Sequence, residues 1–83
     1  MSFKIVFKKS VYKDLQRLSA EEARNILDAI DTELADNADK FPVLKGKFRG
    51  MRRFRVGNYR VIFVIIEEQV LVLRISHRKN VYR

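Results

Sequence analysis

The sequence predicts a small α+β fold in the order β-α-α-β-β-β, with a two-helix hairpin packed on a largely antiparallel four-stranded sheet. Three observations lead there. Apolar residues alternate at Phe3, Ile5 and Phe7, recur at helical spacing from Val11 to Leu34, and alternate again in three short runs after Gly50. The chain has 83 residues, 47% of them hydrophobic, enough for one modest core. The whole chain, 1–83, is therefore read as a single domain.

Phe3 to Phe7 reads as the first strand. Ser10 is placed to cap a short helix through Leu18, with Val11, Leu15 and Leu18 on one face. Ser19 opens a second helix, and Glu22 three residues later completes a capping-box pattern. Ala23, Ile26, Leu27, Ile30 and Leu34 form its apolar stripe, with Glu21, Arg24, Asp28 and Asp31 opposite. Asn37 to Gly50, with Pro42 and Gly46, is a connector. Strands follow at about Arg52–Val56, Tyr59–Glu67 and Val70–Ser76. Gly57-Asn58 between the first two suits a tight hairpin turn.

Charge divides the chain. Residues 1–39 carry six Lys/Arg against eight Asp/Glu, and residues 40–83 carry twelve against two, a net of +10. A basic half on an otherwise ordinary domain points to a polyanionic partner. With no cysteine there are no disulfides, zinc thiolates or thiol nucleophiles, and a domain this small without staples suits a reducing cytoplasm. The start of the chain does not read as a signal peptide, and the longest apolar run, Val61 to Ile66, is too short to span a membrane.

The hairpin turn fixes which cations meet. With a two-residue loop at Gly57-Asn58, Arg55 faces Arg60 and Phe54 faces Val61. Alternation then places Arg53, Arg55 and Arg60 on one side of the sheet. Like charges directly across a ladder repel, and a phosphate between the guanidinium groups reverses the sign of that interaction. A two-residue turn at Glu67-Glu68 or Glu68-Gln69 brings His77 near Arg60, just past the end of the last strand. Lys45, Lys47, Arg52 and Lys79 add to the cations available to nucleic acid.

The chemistry is constrained by what is missing. The basic half has only Glu67 and Glu68, adjacent in a turn, so no carboxylate cluster suits Mg²⁺ and neither a metal nor a cofactor is expected. A single histidine excludes a two-histidine acid–base pair. RNA carries its own nucleophile in the 2′-hydroxyl, leaving the protein to orient the attack, stabilise charge and move protons. Arginine does the charge work but stays protonated. His77, Lys79 and Tyr82 are the candidates for proton transfer.

Three segments resemble the RelE/ParE toxin superfamily, particularly its RNA-cleaving RelE-like branch. They are Leu44-Lys45-Gly46, Phe54-Arg55-Val56-Gly57-Asn58-Tyr59-Arg60-Val61, and His77-Arg78-Lys79-Asn80-Val81-Tyr82-Arg83. The resemblance implies a toxin that cleaves messenger RNA on the ribosome and is silenced by a cognate antitoxin. By position it makes Arg53 and Arg55 phosphate contacts and Arg60 the stabiliser of the transition state. Arg78 would support the phosphate or leaving group, and Tyr82 would stack on a base and assist proton transfer, with His77 able to share that role. Some relatives have lysine where Arg53 and Arg55 stand. ParE-like members, which share the fold but bind DNA gyrase without cutting RNA, give the alternative. A non-catalytic repressor is a third class, disfavoured because the helical hairpin is acidic.

Overall fold

The structure is a computed structural model that describes residues 2–46 and 50–77. The elements are β1 (Lys4–Phe7), α1 (Lys9–Gln16), α2 (Ala20–Asn37), a 3₁₀ turn (Ala38–Lys40), β2 (Arg52–Val56), β3 (Tyr59–Ile66) and β4 (Gln69–His77). The sheet order is β1-β4-β3-β2, with β1 parallel to β4 and the other pairs antiparallel. This is the expected α+β order, β-α-α-β-β-β.

Both helices cover one face of the sheet. Val11 of α1 and Ile26, Ile30 and Leu34 of α2 pack with Phe54, Val61, Phe63, Val70, Val72 and Ile75 of the strands. Fully burying a side chain such as Phe63 stabilises by roughly 1.5–3 kcal/mol. Phe41, just past the 3₁₀ turn, packs edge-on to Phe54 at 4.9 Å and to Phe63 at 6.2 Å between ring centroids. Arg52 reaches from β2 to the same corner. Its Nη1 donates to the carbonyls of Phe41 (2.7 Å) and Asp39 (3.2 Å), tying the exit of α2 to the sheet.

The capping box at α2 forms as predicted. The Glu22 amide donates to Ser19 Oγ (3.1 Å), and the Ser19 amide donates to Glu22 Oε1 (3.3 Å). The cap predicted for α1 does not form. The β1 ladder ends with the Lys8 amide on the Val72 carbonyl (2.9 Å), so α1 begins at once, with Lys8 at the cap position and no side-chain cap. Ser10 lies inside the helix, and its hydroxyl donates to the Leu73 carbonyl at 3.3 Å. The helix also stops at Gln16, short of Leu18.

The Leu73 bond marks the feature that shapes β4. Phe63 pairs with Val72, but Ile62 pairs with Arg74, so Leu73 is an extra residue, a β-bulge. Beyond Val72 β1 no longer pairs with β4, and α1 takes its place along that edge. Ser10 accepts the role of partner to the Leu73 carbonyl, and Asp14 Oδ2 accepts from the Ile75 amide at 2.9 Å. Part-buried backbone groups at a strand edge need such partners. Asp14→Ala should therefore lower stability by roughly 1–3 kcal/mol, the typical cost of an unsatisfied amide. Urea denaturation checks this, and an unchanged midpoint would remove Asp14 from the account of the bulge.

Candidate nucleic-acid interface

Register and bulge together sort the strand residues between two faces. Phe54, Val61 and Ile75 form one row, and Val56, Tyr59 and His77 another, on the helix side. The opposite face carries the row Arg55, Arg60, Ser76 and the row Arg53, Ile62, Arg74. Further along it lie Val64, Leu71 and Val6, then Ile66, Gln69 and Lys4. None of these open-face residues is acidic. The acids of the chain lie mainly on α1 and α2, behind the sheet.

The hairpin at Gly57-Asn58 has the predicted register, with Arg55 directly opposite Arg60. Gly57 takes φ 58°, a left-handed conformation that glycine adopts without a Cβ penalty. Arg53, Arg55 and Arg60 share the open face as expected. Arg55 is exposed, while Arg53 and Arg60 are half-buried. Among the described residues, no hydrogen bond or ion pair engages the side chain of Arg53, Arg55 or Arg74. Ser76 Oγ, across from Arg60, is buried and meets no hydrogen-bond partner among the described residues. Four guanidinium groups on adjacent rows of one face are an arrangement suited to an anion.

Other expected positions fall elsewhere. His77 was expected beside Arg60, but the bulge shifts β4 by one residue, so Ser76 faces Arg60 and His77 faces Tyr59. The two rings meet edge-on at 5.3 Å on the helix side. Arg52, counted with the RNA-contacting cations, belongs by alternation to the helix side, where its Nη1 holds two carbonyls. Lys45 is exposed in the loop between Val43, which bridges to Arg52, and the start of β2. Lys47, Arg78, Lys79 and Tyr82 lie outside the described residues. Arg74 is not legible in the sequence as an open-face residue, because unbroken alternation from Val70 and Val72 turns it toward the helices.

A polar cluster supports the end of β4. Tyr59 Oη donates to Glu22 Oε2 at 3.1 Å, linking β3 to the first turn of α2. The Glu22 carboxyl is held below its ordinary value of 4.5, first by the Ser19 backbone amide, then by the Tyr59 and Ser19 hydroxyls, with a smaller contribution from His77. Burial, and then the bond to Glu22, push the Tyr59 hydroxyl up. Among the described residues, no group of three His, Cys, Asp or Glu side chains is disposed to hold a metal. No helix among them is long and apolar enough to cross a membrane.

A model of the ParE toxin of type II toxin–antitoxin systems, parDE, matches residues 5–82. The chain belongs to this toxin family. Solved structures of the RelE/ParE superfamily share its fold. The toxin–antitoxin complex RelBE2 from Mycobacterium tuberculosis aligns with TM-score 0.84 and 20% identity over 96% of this chain and 95% of that one. The archaeal RelE–RelB complex from Pyrococcus horikoshii OT3 aligns with TM-score 0.71 and 28% identity over 96% and 99%. The chromosomal ParDE system from P. aeruginosa aligns with TM-score 0.73 and 14% identity over 92% and 96%. No curated protein matches the sequence.

The toxin's Glu22 gives a pH signature. A depressed carboxyl stabilises the fold above its unfolded-state value, and the contribution is lost as pH falls through the folded value. The urea midpoint should therefore drop as pH falls below 4.5. In Glu22→Gln that part of the fall should be missing. Parallel pH profiles for the two proteins would contradict the assignment.

Proposed function

We propose that this toxin is a metal-independent, ribosome-dependent endoribonuclease that cleaves messenger RNA through attack of a 2′-hydroxyl on the adjacent phosphate. The observation that carries the reading is the open sheet face, where Arg53, Arg55, Arg60 and Arg74 gather and no strand residue is acidic. A phosphodiester is the anion such a face suits, and the extra negative charge of its transition state suits it better still. Arg53 and Arg55 hold the RNA backbone. Arg60, the more enclosed of the facing pair, stabilises the charge that develops at the scissile phosphate.

Arginine does not take up the proton of the 2′-hydroxyl at neutral pH. By resemblance, that step falls to the C-terminal segment. Tyr82 stacks on a base and relays the proton, Arg78 supports the phosphate or leaving group, and Lys79 and Lys47 add RNA contacts. His77, turned toward Tyr59 and Glu22, serves better to fix the root of that segment than to reach the phosphate. The whole chain, 1–83, acts as one cytoplasmic toxin domain. A cognate antitoxin silences it, in keeping with the complexes in which its structural relatives were solved.

The second reading is a ParE-like inhibitor of DNA gyrase, favoured by the family model that matches the chain. The two readings differ in what the arginines do. A gyrase-binding surface gives Arg60 and the Tyr82 hydroxyl no chemical task. Single-turnover cleavage on programmed ribosomes, run beside a gyrase supercoiling assay, separates them. Arg60→Ala should bind ribosomes nearly as well as the parent but cut about 10²–10³-fold more slowly, the usual effect of losing one oxyanion donor. Tyr82→Phe should also lose rate with the fold intact. Inhibition of supercoiling without any cleavage would decide for the gyrase reading.

A further inference from the structure

The proposed cleavage chemistry needs one phosphate between Arg55 and Arg60, yet the open face offers a second cationic row. Arg53 and Arg74 flank Ile62 from the strands on either side. Ile62 is 7% exposed although it lies on the face away from the helices and outside the core cluster. Long arginine stems beside it can shelter its side chain while their charged ends stay at the surface. Arg53 is half-buried and Arg74 exposed, and neither side chain is held by a hydrogen bond or ion pair among the described residues. Asp14, which lines a cleft together with Arg74, has one carboxylate oxygen on the Ile75 amide and forms no ion pair with it.

The spacing follows from strand geometry. The Arg53–Arg74 row lies two residues along β2 from the Arg55–Arg60 row, about 7 Å away. Arg53 and Arg74 stand two strand spacings apart, about 10 Å at the backbone, and their side chains can converge over Ile62. The second row thus sits one step from the first, as the next phosphate of an extended single strand does. A strand laid across both rows meets paired guanidinium groups at successive phosphates with an apolar floor between them.

We propose that Arg53 and Arg74 form a second phosphate subsite, so that the toxin grips two successive phosphodiesters of single-stranded RNA, one for cleavage and one for register. The inference rests on the RNA-cleaving reading. It adds Arg74 as a binding residue that sets where along the message the scissile bond falls.

The test uses the full chain and two uncleavable probes, a 2′-O-methyl dinucleotide with one phosphodiester and a trinucleotide with two, neither carrying a terminal phosphate. Binding is followed at low ionic strength by nuclear magnetic resonance of the arginine Nε–Hε groups. The trinucleotide should bind about tenfold more tightly, corresponding to ~1.4 kcal/mol. Its salt dependence should be steeper by about 0.7, the slope expected for one more phosphate contact on a single strand. The Arg74 resonance should move with the trinucleotide alone. Arg74→Met keeps the stem over Ile62 and removes the charge. It should bind both probes with the dinucleotide's affinity and keep the parent melting temperature.

If the parent binds both probes equally, or Arg74→Met keeps the trinucleotide's advantage, the second subsite is overturned and the cleavage reading stands. If Arg74→Met melts lower and loses both probes alike, Arg74 is only a cover for Ile62. If neither probe binds the parent, the open face is not an RNA surface, and the inference falls together with the reading beneath it.

Discussion

The cationic face depends on one extra residue in β4. The strand enters the sheet with Val70 and Val72 turned toward the helices, paired with Ile65 and Phe63. An unbroken strand would continue that alternation and aim Arg74 and Ser76 into the core, with Ile75 exposed. The bulge at Leu73 reverses the alternation, so Ile75 packs inside and Arg74 emerges opposite. A bulge leaves ladder groups without partners, and here α1 supplies them through Ser10 and Asp14. The first helix therefore holds the strand geometry on which the cationic face depends.

The charge asymmetry of the sequence becomes an asymmetry between faces. The acids of α1 and α2 lie behind the sheet, and Arg53, Arg55, Arg60 and Arg74 lie in front. A fold selected for stability alone has little use for Arg55 directly opposite Arg60, since like charges across a ladder weaken it. The pair makes physical sense when an anion lies between the two groups. Solved RelE- and ParE-named systems share the fold at low identity, so the fold places the face and the side chains on it decide the target. On this chain those side chains suit phosphates.

Much of the architecture was legible where a short pattern has a single structural solution. Gly57-Asn58 between two apolar runs gave a two-residue turn, and the turn fixed the pairing of Arg55 with Arg60. Ser19 and Glu22 spelled out a capping box that the structure forms in full. The bulge was not legible. Leu73 sits in an unbroken apolar strand pattern, with no glycine or proline to mark an insertion. Its effect on His77 and Arg74 was lost with it, since a one-residue shift exchanges the faces. The partners of Ser10 and Arg52 are hidden for a related reason. Each has a local role by residue type, a helix cap or a surface cation, but each is engaged by a carbonyl far away in sequence. Such partners exist only once the chain has folded.

In the proposed chemistry the arginine face works on RNA's own nucleophile. A message carrying a single 2′-deoxynucleotide at the scissile position, loaded on programmed ribosomes, tests it most directly. The toxin should still bind these ribosomes but leave that bond intact. The matched all-ribose message should be cut to a 2′,3′-cyclic phosphate or its 3′-phosphate product. Cleavage at the 2′-deoxy position at the all-ribose rate would contradict it.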